Sequence, residues 1–135
     1  MVSRESVRIA LTCAELNDIN VAACDIRNAC LQAPSSERHY VTCGPEFGLE
    51  NVAKIALMRC ALYGGKASGA DFWRHFRACV SHLGFTSCKA DNDILMRLAK
   101  KDDGTEYWDH VLLHVDGALV ISDQGEEVIR KELGK

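Results

Sequence analysis

The stretch from His110 to Ser122 constrains this chain more than any other. Val111, Leu112 and Leu113 lead into a short turn, and Ala118 to Ile121 lead out of it. Two β-rich apolar runs split by a glycine-containing turn form a β-hairpin. The hairpin tip carries one carboxylate, Asp116. Two buried strands would hold that carboxylate rigidly, which suits a metal ligand. Asp-Gly is also a favoured turn pair, so this segment alone favours a plain turn aspartate.

At 135 residues the chain is one domain or part of one. No apolar run approaches the length of a membrane span. The N-terminal Met-Val-Ser-Arg-Glu-Ser lacks the apolar core of a secretory signal, so an intracellular location and no membrane partner are expected. The seven cysteines are odd in number and none falls in a Cys-x-x-Cys pair. A disulfide framework and a zinc ribbon are both poorly supported, and a thiol- or zinc-dependent protein carries little weight. The cysteines are expected to be reduced thiols, most of them acting as small hydrophobes among apolar neighbours. A net charge of −3 argues against a stand-alone nucleic-acid-binding domain. It leaves room for a catalytic core that meets nucleic acid through metal ions and through basic parts elsewhere.

Ser3 to about Asn17 reads as a helix, with Val7, Ala10, Leu11 and Ala14 on one stripe and Ser3 as N-cap. Asn20 to Asp25 reads as a strand buried on both faces, with Asp25 at its C-terminal end, where an aspartate also serves as an ordinary cap. Arg27 to Gln32 follows, and Pro34-Ser35-Ser36 is expected to break the chain. His39–Cys43 and Val52–Leu62 read as strands, with a loop over 47–51 and a glycine turn over 63–66. Ser68 to Leu83 is the clearest helix. Ser68 and Asp71 resemble a capping box, Phe72, Phe76, Cys79, Val80 and Leu83 form the stripe, and Gly84 follows as the C′ glycine. Arg74 and Arg77 lie off that stripe and read as solvated charges. Asp91–Leu98 and Glu106–His114 read as strands joined by an Asp103-Gly104 turn. A final helix is expected from Gln124 to Lys135, with Val128 and Leu133 inward. Such an order of strands and helices points to an α+β sandwich.

Asp25 and Asp116 each end or join a buried strand. If those strands are neighbours, the carboxylates converge, and at about 4 Å they repel by roughly 4 kcal/mol at an effective dielectric near 20. Cations offset such repulsion, and a carboxylate pair that also receives substrate phosphates suits magnesium. Two such ions about 3.5–4 Å apart would activate a 3′-hydroxyl and stabilise a departing pyrophosphate.

Four segments carry a resemblance. Asp25-Ile26-Arg27-Asn28-Ala29-Cys30-Leu31 is similar to the first catalytic motif of the copia-type retrotransposon reverse transcriptases: an Asp, three residues, Ala, then an aromatic. Ala61-Leu62-Tyr63-Gly64-Gly65-Lys66 resembles their Leu-Tyr-Gly-Leu-Lys-Gln segment. The run from Leu83-Gly84-Phe85 to Ala90-Asp91 resembles their Leu-Gly-Phe…Ser…Ala-Asp segment. His114-Val115-Asp116-Gly117 stands where the family has Tyr-Val-Asp-Asp. The matches keep the family's order and approximate spacing, and together they are specific.

The resemblance implies a partial palm domain over residues 1–135, an α+β fold in which an antiparallel sheet packs on helices. Fingers are expected before residue 1, and a thumb and an RNase H region after residue 135. It implies an RNA-directed DNA polymerase working by two-metal nucleotidyl transfer. Asp25 and Asp116 would be catalytic ligands of Mg²⁺. Tyr63, Gly64 and Lys66 would lie by the incoming nucleotide and template, and Cys30 would occupy the gate that excludes a ribose 2′-hydroxyl. Implied partners are an RNA or DNA template-primer, deoxynucleoside triphosphates and the rest of the retrotransposon polyprotein. The implied location is cytoplasmic or nuclear, within element particles.

The departures weigh against present catalysis. Gly117 replaces the second hairpin Asp, His114 the Tyr, Cys30 the gate aromatic, Gly65 the Leu before Lys66, and Ala67 the Gln after it. Asp to Gly, Tyr to Cys and Tyr to His are each single transitions in the genetic code, the pattern of drift. One carboxylate fewer leaves the second metal poorly held, and magnesium prefers oxygen to the imidazole of His114. The alternative reading is therefore a non-catalytic relic that acts, if at all, as a weak nucleic-acid or protein binder.

Overall fold

The computed structural model describes residues 2–133. In chain order its elements are α1 (Arg4–Leu16), β1 (Val21–Asp25), α2 (Ala29–Gln32), β2 (Pro34–Thr42), β3 (Ile55–Cys60), α3 (Ser68–His82), β4 (Thr86–Ser87), β5 (Ile94–Lys100), β6 (Glu106–His114), β7 (Gly117–Ile121) and α4 (Gly125–Glu127), which passes into a wider helical turn over Val128–Leu133. Every strand pairing is antiparallel, and the fold is α+β. The chain divides into two compact units: residues 1–27 with 77–135, and residues 28–76.

The first unit holds a five-stranded sheet in the order β1-β7-β6-β5-β4. Ser3 starts α1 as expected, its hydroxyl accepting from the Ser6 N–H. The Asp91 carboxylate secures that start by accepting from the Ser3 N–H and the Ser6 hydroxyl. At the other end of α1, the Lys101 ammonium donates to the carbonyls of Asn17 and Asp18, a favourable partner for unsatisfied helix carbonyls. Val2, Val7, Ala10 and Ala14 pack with Leu112, Leu119, Ile121 and Ile94 on one face of the sheet. Leu95, Val111, Leu113, Ala118 and Val120, of the opposite parity, are buried as well. Arg97 bonds the nearly inaccessible Asp109 at 2.9 Å, donates to the Leu83 carbonyl and stacks 4.3 Å above the Phe85 ring.

The sequence expectation for β1 needs correction. It is an edge strand with Val21, Ala23 and Asp25 exposed, because the α1 stripe reaches β6 and β7 without covering it. Leu11 of the expected α1 stripe also faces outward. Cys43 alone of the seven cysteines is buried; Cys13, Cys60 and Cys79 are exposed. The expected final helix is only α4 and its wider turn, with Val128 buried and Leu133 half-buried; Gly134 and Lys135 lie outside the described residues.

The second unit is a ribbon of β2 and β3, with α2 and the first part of α3. Pro34 opens β2 where a break was expected, since proline is tolerated at the first residue of a strand. The expected loop over 47–51 forms two short 3₁₀ turns, Pro45–Phe47 and Leu49–Asn51. Ser68 and Asp71 form no capping box. The Ser68 hydroxyl donates to the Leu62 carbonyl, and the Asp71 carboxylate accepts from the Ser36 N–H and hydroxyl and from Arg74. These bonds to Ser36 hold the Asp71 carboxyl below the usual carboxylate range. Arg74, expected to be free in solvent, thus has a carboxylate partner. Phe72, Phe76 and Val80 keep the inward stripe of α3, while Cys79 faces outward.

Candidate metal centre

Antiparallel pairing brings distant residues into rows across the first unit. His114 pairs with Gly117 across the hairpin, and Gly117 pairs with Asp25 of β1. Directly opposed residues share a face of the sheet, so His114, Gly117 and Asp25 form one row. Asp116 is the second residue of the two-residue turn between β6 and β7. Its carbonyl accepts from the N–H of Ile26 at 2.8 Å, which ties the hairpin tip to the residue after Asp25. The backbones of Asp25 and Asp116 are therefore neighbours across one strand spacing of about 4.8 Å, although 91 positions separate them. Asp25 is exposed and Asp116 half-exposed.

Val115, the other turn residue, has φ 57°. A β-branched side chain rarely adopts the left-handed region, and strain of this kind concentrates at functional sites. Gly117 is a different case. A Cβ built there meets nothing nearer than the His114 carbonyl oxygen at 3.6 Å and the Cys24 carbonyl oxygen at 3.7 Å, ordinary contacts. The position accepts a Cβ without repacking, and a side chain there would stand between His114 and Asp25 in the row.

A cavity of about 560 Å³ runs beside the row, lined by Val7, Leu112, Leu119, His114, Gly117 and Arg4. Arg4 is the one cation on it. Nothing in the local sequence pattern marks Arg4. Cys24, also on this cavity, has its thiol pushed up by burial and by the Asp25 charge, against a lowering backbone hydrogen bond from Ala118. His110, two residues before Leu112, is held below the usual imidazole range by burial.

Cys30, Tyr63, Gly64 and Lys66 all belong to the ribbon unit. Cys30 is half-buried in α2, behind Asn28, which caps that helix in the left-handed conformation. Tyr63 is exposed, and Gly64 has φ +90° with open space where a side chain would go, so the turn needs glycine for its backbone alone. A Cβ on Gly65 would come within 2.5 Å of the Ser68 hydroxyl, which here bonds the Leu62 carbonyl. Lys66 is half-buried.

Carboxylates are hard oxygen donors of the kind magnesium takes alongside water and substrate phosphate. Asp25, exposed, and Asp116, half-exposed, would supply two such donors from neighbouring backbone positions. Among the described residues, no group of three or more His, Cys, Asp and Glu is placed to hold a metal ion, and no helix is long and apolar enough to cross a membrane. No family model, curated protein or solved structure matches this chain.

Proposed function

We propose that the chain is a palm portion of a copia-type retrotransposon reverse transcriptase, an RNA-directed DNA polymerase with its catalytic power reduced by Gly117. The observation that carries this reading is the row of His114, Gly117 and Asp25, closed by the Ile26–Asp116 hydrogen bond. The first and last of the four resembling segments meet in that row. The strained Val115 beside Asp116 adds support.

In this reading Asp25 and Asp116 hold one magnesium ion, which when bound neutralises charge on the phosphates of template-primer or nucleotide. Asp25 would set its position from a strand end and Asp116 from the hairpin turn, and Arg4 adds positive charge on the flanking cavity. The relic alternative is favoured by the same row: at its middle, where a third carboxylate would stand, there is a hydrogen atom. Catalysis by the unaltered chain is accordingly expected to be weak or nil, leaving at most weak binding of nucleic acid or protein.

The test restores the missing group. The Gly117→Asp variant should bind Mn²⁺ at least about tenfold more tightly than the parent chain, equivalent to 1.4 kcal/mol, and Asp25→Ala should cancel that gain. In an otherwise competent enzyme the same restoration should recover primer extension on an RNA template. Unchanged metal affinity in Gly117→Asp would remove the basis for a shared ion. Robust, Asp25-dependent extension by the parent chain would overturn the impaired reading instead.

A further inference from the structure

The ribbon has one face that the polymerase reading does not use. Tyr40 pairs with Leu57 and Thr42 with Ile55, so these four side chains share a face. All four are exposed, Tyr40 at 62%, Ile55 at 73% and Leu57 at 44%. Arg59 continues the same face two residues beyond Leu57 along β3. Arg38 lies two residues before Tyr40, where the β2–β3 register shifts, and such irregularities re-aim side chains. Neither guanidinium group has a hydrogen bond or ion pair among the described residues. The one carboxylate in β2, Glu37, is engaged by His39.

Charge is divided unevenly as well. The ribbon unit has five Lys and Arg against four Asp and Glu, whereas the five-stranded unit has 11 against 15. An acidic chain thus keeps an exposed ring, two aliphatic side chains and two uncommitted guanidinium groups together on its least acidic part.

We infer that this ribbon face binds a single strand of nucleic acid, with a base stacked on Tyr40 and phosphates met by Arg38 and Arg59. A second copy of the same face would bring guanidinium against guanidinium, which opposes pairing of like surfaces. An apolar protein surface would desolvate both arginines without a partner. A single strand supplies stackable base faces and anionic phosphates at once, whereas a duplex hides its base faces. The inference rests on the polymerase reading for the class of ligand, though its residues lie outside the carboxylate row.

Fluorescence anisotropy with labelled twelve-nucleotide oligo-dT and oligo-U, and a duplex of equal length, tests it on the full chain. Single strands should bind better than the duplex, and the log of affinity should fall with log salt with a slope of about −1.4 for two neutralised phosphates. Tyr40→Ala should weaken binding about tenfold, while Tyr40→Phe, which keeps the stacking face, should bind like the parent. Arg38→Gln with Arg59→Gln should abolish most of the salt dependence. Binding unaffected by Tyr40→Ala and by the double arginine change overturns the inference. So does Tyr40-dependent self-association with no oligonucleotide binding. The Mn²⁺ titration of Gly117→Asp separates the two proposals: a positive titration with no ribbon binding refutes the ribbon alone, and ribbon binding with a negative titration refutes the palm reading alone.

Discussion

The two units would receive a side chain at a glycine in opposite ways. A Cβ on Gly117 in the five-stranded unit would meet only ordinary contacts, the His114 and Cys24 carbonyl oxygens at 3.6 and 3.7 Å. Gly65 in the ribbon unit has the Ser68 hydroxyl in that space, already bonded to the Leu62 carbonyl. One glycine leaves room for a Cβ; the other is fixed by the local packing. The same contrast runs through the burial. The five-stranded unit closes apolar residues on both sheet faces, with Val111 and Val120 fully inaccessible. The ribbon leaves Tyr40, Ile55 and Leu57 in solvent. A core of the first kind carries stability, and a surface of the second kind is available for contact.

The largest test of that division is Arg97→Met. Asp109 is 2% exposed and has Arg97 as its ion-pair partner. Removing one member of a buried pair leaves a desolvated charge, and the expected cost is about 3–5 kcal/mol in urea denaturation. Arg59→Met on the ribbon should change stability by less than about 0.5 kcal/mol. Comparable losses from the two would erase the distinction between a stabilising unit and an exposed one. Next in size is Leu112→Ala, which should cost about 2–5 kcal/mol through lost burial and a residual cavity. Its ribbon counterpart Leu57→Ala should again stay within about 0.5 kcal/mol.

Acid sharpens the comparison with a smaller effect. Burial lowers the His110 imidazole, so the folded five-stranded unit resists a proton that the unfolded chain accepts near 6.5. Stability is then full above 6.5 and falls as pH drops below it. Asp71 in the ribbon unit is also lowered, by Ser36, so its contribution is present above 3.8 and is lost only as pH falls below that value. Hydrogen exchange followed from pH 7 to pH 3 should show protection falling first in β6 and β7, and His110→Gln should flatten the earlier phase. Simultaneous loss in both units would refute the assignment to His110.

Legibility in the sequence also differed between the units. The hairpin, α1 and α3 were readable because local signals agree there: periodic apolar residues, a Ser3 cap and a terminal glycine at Gly84 with φ +87°. That the strands of Asp25 and Asp116 meet was only a condition in the sequence reading, since no local pattern specifies which strands pair, and the Asp25–Gly117 register came from the structure. The ribbon was read less well. Pro34 looked like a breaker because its tolerance at a strand start depends on the partner strand, and Asp71 looked like a cap because Ser36 lies 35 residues away. Arg4 and the exposed β1 edge were illegible for the same reason: both depend on which residues the long-range packing leaves uncovered.

The smallest expected effect concerns two of the four described non-glycine residues that hold left-handed backbone, one at the hairpin tip and one in the ribbon unit. Val115 has φ 57° and Ala53 has φ 63°. An L side chain there costs roughly 1–2 kcal/mol, more for a β-branched one. Glycine relieves that cost but gives back roughly 0.5–1 kcal/mol through the freer unfolded chain. Val115→Gly should therefore raise stability by about 0.5–1 kcal/mol, and Ala53→Gly by less. The metal titration should separate them further. In the Gly117→Asp background, a relaxed tip should bind Mn²⁺ more weakly, because Asp116 is no longer held by its strained neighbour, whereas Ala53→Gly should leave that affinity unchanged. Val115→Gly that weakened folding and left metal affinity alone would make the left-handed tip an ordinary turn, and would detach it from the carboxylate row.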